Sequence, residues 1–497
     1  MKKIDYAGSV SKLNSHIGSN IKSWSIEQTL GESMLKQIRY ALIILTLLVT
    51  HSVFAQTPST KKFISISDIH FNPFIGCNQF STPCPILTEL RNTDPTSWDN
   101  IFEKYADKIE TSYHQDTDFF LLQSTLTELN TLTQRCSPAF MVILGDFLAH
   151  KFREQYQKYS GDLSIAGYQA FVRGNFEYLT HKLNQAMPIT DIYPALGNND
   201  SYGQNYEVDP HGFFLHDLRT IFSALIKNKT AKKEFQNEFA NGGYYAVTLP
   251  QKNQRLIVLN SVLFSALYHT SAMQQAAEEQ LAWLQLQLST AQQRQQKVLL
   301  ALHIPPGVDI YLSLKLFSSL IQAGPPLFWQ DSYNKQFLSL LQQYANTVVA
   351  ILAGHIHSDA FQLIANKAQN SFIPVSFTSS ISPMNGNNPG LKVFTYASRT
   401  FELVNFHTYF YPINEGKSAR WKKEYDFNSV YQPDCQSCSV INGMLQLTKD
   451  NILENSYVKY YNLSNSTQSA IQHNWLPYYW CGIYNMDWQS YQVCLNQ

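Results

Sequence analysis

Five short apolar runs in this sequence end in side chains that could hold a metal. "ISIS" is followed by Asp68-Ile69-His70, "MVIL" by Gly145-Asp146, "YPAL" by Gly197-Asn198 and "LLAL" by His303. "VAIL" leads through Ala353-Gly354 to His355-Ile356-His357. Singly, each pattern is ordinary: Gly-Asp after a strand is a common turn, and a lone His after an apolar run is more often a satisfied structural histidine. Jointly they offer two carboxylates, one amide oxygen and four imidazoles, enough for two divalent ions. Such a mixed N/O set suits Zn²⁺, Mn²⁺ or Fe, and does not suit a Ca²⁺ cage, which wants oxygen only. One carboxylate can bridge two ions about 3.5–4 Å apart, the spacing used in two-metal catalysis.

These points are spread from residue 68 to 357, so the fold must gather them. Candidate strands are "KFISIS" in the 61–67 region, "AFMVIL" (139–144), "DIYPAL" (191–196), "RLIVLN" (255–260), "KVLLAL" (297–302) and "TVVAIL" (347–352). Amphipathic stretches lie between them, with Leu122, Leu126 and Leu129 at i, i+4, i+7 and Leu281, Leu284 and Leu288 spaced similarly. This alternation predicts an α/β layer fold. In an open α/β sheet the carboxyl ends of the strands share one edge, where ligands bind. "FIPVSFTSS" and "LKVFTY" read as consecutive strands without a helix between them, which predicts a sheet with parallel and antiparallel parts. From about Tyr431 the chain turns rich in Asn, Gln and Tyr, and residues 431–497 are expected to form a small helical cap stapled by disulfides.

The bulk composition narrows the partners. The 497 residues hold 37 Lys plus Arg against 37 Asp plus Glu, a formal net charge of zero, so no basic nucleic-acid footprint is evident. Near the N-terminus, a basic "LKQIR" (35–39), an apolar "YALIILTLLV" (40–49) and Val53 and Ala55 before Gln56 have the order of a secretory signal. The apolar run is short for a membrane span, which needs roughly 18 residues. The expectation is an exported, secreted or periplasmic chain cut at Ala55–Gln56; the alternative is an uncleaved N-terminal anchor, the one route to membrane contact. Residues 1–55 are then leader, with Met34 as an alternative start. Seven cysteines fit export. Cys77/Cys84 and Cys481/Cys494 are expected to pair. The Cys435/Cys438 CxxC reads as a disulfide over zinc or redox duty, and Cys136 as a buried thiol. Sequons stand at Asn228, Asn462 and Asn465.

DxH, GD, GN, H and GHxH in this order resemble the calcineurin-like metallophosphoesterases. "SDIHFNP", "GDFLAH", "NGGYYAV", "LHIPPG", "GHIHSD" and "ISPMNGNNPGLKVF" resemble the acid sphingomyelinase branch of that family, including the acid-sphingomyelinase-like phosphodiesterases. "WKKEYDF" and "YYWCGIYNMDWQSYQVCL" are similar to its C-terminal domain. The resemblance implies a β-sandwich flanked by helices over 62–430 and a C-terminal domain over 431–497. It also implies ligands: Asp68, His70, Asp146 and His357 for a first metal, and Asp146, Asn198, His303 and His355 for a second, with Asp146 as the bridge. A water activated between the ions, most readily Zn²⁺, would attack phosphorus. His150 matches a histidine near the substrate phosphate. Asn199 stands where the family has a His thought to protonate the leaving oxygen. Asn donates a hydrogen bond but is no acid near neutral pH, so the proton falls to His150 or the leaving group needs none. Asp200, without its usual partner, reads as structural.

Sphingomyelinases of this branch carry a cysteine-rich, saposin-like lipid-handling domain, and residues 56–61 contain no cysteine. The expected substrate is therefore a water-soluble phosphodiester or nucleotide, such as a nucleoside di- or triphosphate or CDP-choline, hydrolysed by a monomer. The rival readings are a sphingomyelin phosphodiesterase, an endopolyphosphatase and a secreted pseudoenzyme that binds without turnover.

Overall fold

Twelve strands make two six-stranded sheets among the residues that the computed structural model describes, which are 59–319, 325–366, 370–435, 438–447, 451–465 and 471–497. The leader, Met34 and the Ala55–Gln56 junction lie outside them. Sheet 1 contains β1 (Thr60–Ile66), β2 (Met141–Ile143) and β3 (Ile192–Pro194). Sheet 2 contains β4 (Tyr245–Thr248), β5 (Gln254–Val258), β6 (Lys297–Ala301), β7 (Val348–Ala353), β8 (Phe361–Asn366) and β9 (Ser371–Phe377). β10 (Gly390–Ala397), β11 (Leu403–Phe410) and β12 (Lys422–Asp426) complete sheet 1. The orders are β12-β11-β10-β1-β2-β3 and β4-β5-β6-β7-β9-β8.

Each sheet mixes directions, as the sequence led one to expect. β1, β2 and β3 run parallel, and β10–β12 add antiparallel. In sheet 2, β5, β6, β7 and β9 are parallel, with β4 and β8 antiparallel at the two edges. The central parallel strands are buried along nearly their whole length, which is why they read as continuous apolar runs without alternation.

One expectation needs correcting. The five metal-capable strand ends do not share one edge of one sheet: three belong to sheet 1 and two to sheet 2. The strands β9 and β10 are consecutive with no helix between them, as expected, and between them the chain leaves sheet 2 after Phe377 and enters sheet 1 at Gly390. The crossing segment runs beside the Asp68 loop, where Ile381 N–H donates to Ser67 O and Ser382 N–H to Asp68 O. The sheets face each other directly. Ser65 meets Thr378 at 2.8 Å between hydroxyls, and Lys392 reaches Ser376 at 3.2 Å. One apolar core takes Phe63, Val142 and Phe394 from sheet 1 and Leu299, Ile351 and Val375 from sheet 2.

The helical patterns hold. Phe119–Cys136 buries Leu122, Leu126 and Leu129 and is capped by Asp118, which accepts from Leu121 N–H. Ser271–Gln293 buries Leu281, Leu284 and Leu288 and is capped by Thr270. Past Tyr431 the chain is helical, at Val440–Gln446, Asn451–Tyr461, Leu476–Tyr484 and Trp488–Leu495. Met444, Tyr457 and Ile483 from these helices enter the same core as both sheets, and Thr60–Gln497 is one compact unit. Disulfides join Cys77–Cys84, Cys435–Cys438 and Cys481–Cys494. Cys136 is free as expected, but half-buried rather than buried, because it ends its helix at the surface. No helix among the described residues is long and apolar enough to cross a membrane.

Candidate metal centre

The strand registers level the site. Ile66, Ile143 and Pro194 stand abreast in sheet 1, and Ala301, Leu352 and Ser376 stand abreast in sheet 2. The loops leaving these points therefore meet between the two sheets. They turn sharply: Asp68, His70, Asp146, His355 and His357 all have positive φ, between 43° and 72°. Non-glycine residues in this region cost about 1–3 kcal/mol each and persist where the surroundings over-determine them. Close packing adds its own demand. A Cβ on Gly145 would lie 2.6 Å from Gly197 N, and one on Gly354 would strike the Ser67 hydroxyl.

All seven metal-capable residues expected from the sequence come together. Asp146 Oδ2 lies 3.4 Å from His70 Nε2 and 3.2 Å from His303 Nε2. His303 Nε2 is 2.9 Å from Asn198 Oδ1 and 3.3 Å from His355 Nδ1. Asp68 Oδ1 is 3.3 Å from His357 Nε2 and 3.7 Å from His70 Nε2. Asp68–His70–Asp146, Asp146–His303–His355 and His70–His150–His357 each place ligand atoms within 4.8 Å of one another.

These residues fit a pair of cations. A single proton on His303 Nε2 can satisfy one of the three acceptors around it, whereas a cation accepts all four lone pairs. Asp68 Oδ1 and His70 Nε2 are buried without a hydrogen-bond partner. Outer contacts fix the imidazoles in turn: His70 Nδ1 bonds Leu148 O at 2.8 Å and His303 Nδ1 bonds Leu144 O at 2.7 Å, which leaves each Nε2 for the centre. The electrostatics show the same demand for positive charge. Burial opposes a charged His70, yet Asp146 and Asp68 hold its pKa up to about 10, and Asp146 holds His303 up to about 9. Burial and the neighbouring His303 push His355 down to about 3. Burial also resists the charge on Asp68 and Asp146, but the histidines around them pull both well below the carboxylate range.

Asn199 does something the sequence did not suggest. Its backbone N–H donates to Asp146 Oδ1 at 2.7 Å and its side-chain Nδ2 to Asp146 Oδ2 at 2.9 Å. It holds the shared carboxylate. Asp200 is buried and accepts from Phe147 N–H (2.8 Å), Leu148 N–H (3.1 Å) and Gly197 N–H (2.9 Å), so it ties the Asp146 loop to the Asn198 loop. Burial, with Asp146 beside it, raises its pKa to about 7. His150 stacks on His70 with ring centres 4.0 Å apart, and its side chain is one-third exposed.

Several site residues escaped the sequence reading. Asp116 bonds His150 Nδ1 at 2.8 Å and also accepts His150 N–H and the Ser382 hydroxyl. It follows no strand run, so nothing in the pattern pointed to it. Asn205 receives Asn198 Nδ2 at 2.7 Å, and the Tyr206 hydroxyl stands 3.5 Å from His355 Nε2. Beside His355 opens a cavity of about 630 Å³, lined by Tyr311, Phe328, Tyr457, Tyr461 and Tyr479 among others.

Comparison with known proteins agrees with this geometry. Residues 61–359 match the calcineurin-like phosphoesterase family, and residues 366–497 match the acid sphingomyelin phosphodiesterase C-terminal region. An acid sphingomyelinase-like phosphodiesterase 3b of Mus musculus is 23% identical over 88% of this chain and 90% of its own length. A sphingomyelinase phosphodiesterase D of Dictyostelium discoideum is 26% identical over 80% of this chain and 85% of its own. A cyclic GMP-AMP phosphodiesterase of Homo sapiens is 25% identical over 64% and 70%. The chain belongs to the calcineurin-like metallophosphoesterases, in the branch that carries the acid sphingomyelinase C-terminal region.

Proposed function

We propose that this metal-dependent phosphodiesterase is an extracytoplasmic monomer that hydrolyses a water-soluble phosphodiester or nucleotide. The observation that supports it most is the meeting of seven ligand side chains, from the ends of five strands in two sheets, beside a cavity large enough for a nucleoside. In this reading Asp68, His70, Asp146 and His357 would hold one divalent ion, and Asp146, Asn198, His303 and His355 the other, with Zn²⁺ favoured over Mn²⁺ or Fe. When bound, such ions supply positive charge at phosphorus and lower the pKa of water.

The remaining work falls to the chain. His150, with Nδ1 committed to Asp116, has Nε2 left to give a proton to the departing alcohol. Asn199 keeps Asp146 in place instead of serving as the acid. The aromatic walls beside His355 suit a flat base, and one relative is a cyclic GMP-AMP phosphodiesterase. Three disulfides fit an oxidising compartment.

A panel of bis-nitrophenyl phosphate, ATP, CDP-choline, polyphosphate and sphingomyelin, run with metal analysis of the purified protein, tests this. Turnover of a nucleotide well above sphingomyelin and polyphosphate, with two metals per chain, is the expected result. Preference for sphingomyelin or polyphosphate would overturn the substrate reading. Absence of bound divalent metal would overturn the centre.

A further inference from the structure

The loop after β7 carries His355 and His357, both at positive φ (72° and 61°), and something must keep it there. Asp359, two residues on, is buried at 4% exposure. Its Oδ1 pairs with Lys392 Nζ at 2.7 Å. Its Oδ2 accepts from the Thr408 hydroxyl at 2.8 Å and the Tyr425 hydroxyl at 3.0 Å. Its backbone N–H donates to Tyr461 O at 2.9 Å, and the Ser358 hydroxyl donates to Asn462 Oδ1 at 3.4 Å. Lys392 is fully buried, donates onward to Ser376, and sits 4.3 Å from the centre of the Phe406 ring.

Asp359 is the last residue of the phosphoesterase match, and every one of these partners lies in the 366–497 region. Lys392, Thr408 and Tyr425 come from β10, β11 and β12 of sheet 1, whereas Asp359 follows β7 of sheet 2. A buried charge is tolerated only when it is paired and fully hydrogen-bonded, so this carboxylate has one place to sit. A loop pinned two residues beyond His357 cannot relax out of its strained turn.

We propose that the buried Lys392–Asp359 pair is the positioning device for His355 and His357, so that the acid-sphingomyelinase-type C-terminal region is a working part of the metal centre. The proposal rests on the reading of those two histidines as metal ligands. Partners that orient ligands from outside typically govern metal affinity by 10–100-fold. A pair that merely ties the sheets together would govern stability alone.

The test uses the full chain, stripped of metal and titrated with Co²⁺, with affinity read from the visible spectrum and melting temperature measured beside it. Lys392→Met is expected to weaken Co²⁺ binding by about 10–100-fold. Tyr425→Phe and Thr408→Val each remove one hydrogen bond to Asp359 and keep the ion pair, and a several-fold weakening is expected from each. If Lys392→Met melts lower but binds Co²⁺ as the parent does, the pair is structural and the proposal falls. If Lys392→Met does not fold, the two milder variants decide: parental affinity in both overturns it. A parent chain that binds no Co²⁺ would instead sink the underlying reading of the centre.

Discussion

Sheet 1 delivers both carboxylates of the centre, through Asp68 and Asp146, together with His70 and Asn198. Sheet 2 delivers three imidazoles, His303, His355 and His357, and no carboxylate. The two halves are also held differently. In the sheet 1 half, main-chain groups do most of the work: Asp200 gathers three N–H groups, and Asn199 clasps Asp146. In the sheet 2 half, the GHIH loop is secured by side chains more than thirty residues further on, in the C-terminal region. The half that carries the carboxylates is therefore held together chiefly by neighbouring loops of the same sheet, with Asp68 N–H donating to Gly145 O and His70 N–H to Asp146 O. The GHIH loop of the imidazole half depends on the later part of the chain, whereas His303 is oriented by Leu144 O of the sheet 1 half.

The strongest way to break this contrast is Asp146→Asn. Its carboxylate touches both groups of imidazoles, so turnover should fall on the order of 10⁴-fold. Several kcal/mol of charge stabilisation is at stake, and each 1.4 kcal/mol is tenfold. Metal content should fall at both positions. A variant that keeps two metals and a near-parental rate would mean that the charge is not shared at Asp146.

His150→Gln comes next. It should slow diesters with alkoxide leaving groups by about 10²–10⁴-fold, and nitrophenolate esters little, since nitrophenolate leaves without a proton. Equal slowing of both classes would reduce His150 to a phosphate-positioning group.

Asp200→Ala sharpens the local half of the comparison. It strands three buried N–H groups, each worth about 1–3 kcal/mol when left unpaired. The melting temperature should drop and metal content should fall with it. A parental melting temperature would show that the two loops hold without the carboxylate.

The smallest effect concerns Glu424, beside the C-terminal support. Burial, with Asp359 nearby, holds its pKa well above the ordinary 4.5. The unfolded chain ionises this group as the pH rises through about 4.5, while the folded chain keeps the proton. Its contribution to stability is therefore lost upward from that pH, and the loss stops once the folded pKa is passed. Glu424→Gln should remove that slope from the melting temperature against pH and leave Co²⁺ affinity unchanged. A loss of affinity would mean that Glu424 belongs to the positioning device.

Much of the centre was legible because strands announce themselves. Buried parallel strands must be apolar, and the polar residue that ends each one stands out against the run. That logic found Asp68, Asp146, Asn198, His303 and His355, and it could not find Asp116, which arrives on the segment before a helix. It also overstated strand lengths. The strands formed within "AFMVIL" and "DIYPAL" are three residues each, Met141–Ile143 and Ile192–Pro194, although Leu144 N–H still bonds Ile66 O and Ala195 N–H still bonds Ile143 O beyond their ends.

The sequence by itself determined the chemical inventory: two carboxylates, an amide and four imidazoles in a fixed order, and three cysteine pairs at short separations. These are local properties, carried by residue type and spacing. Only the tertiary structure decided that the ligands arrive from two sheets rather than one. It also decided that Asn199 turns its amide to Asp146, and that Lys392 crosses to Asp359. Those outcomes depend on which buried donor finds which buried acceptor, and the partners lie far apart along the chain, by 287 positions in the His355 N–H bond to Asp68. Spacing along the chain carries no record of such pairings; burial selects them, because each polar group left unpaired inside the core costs more than the bond that satisfies it.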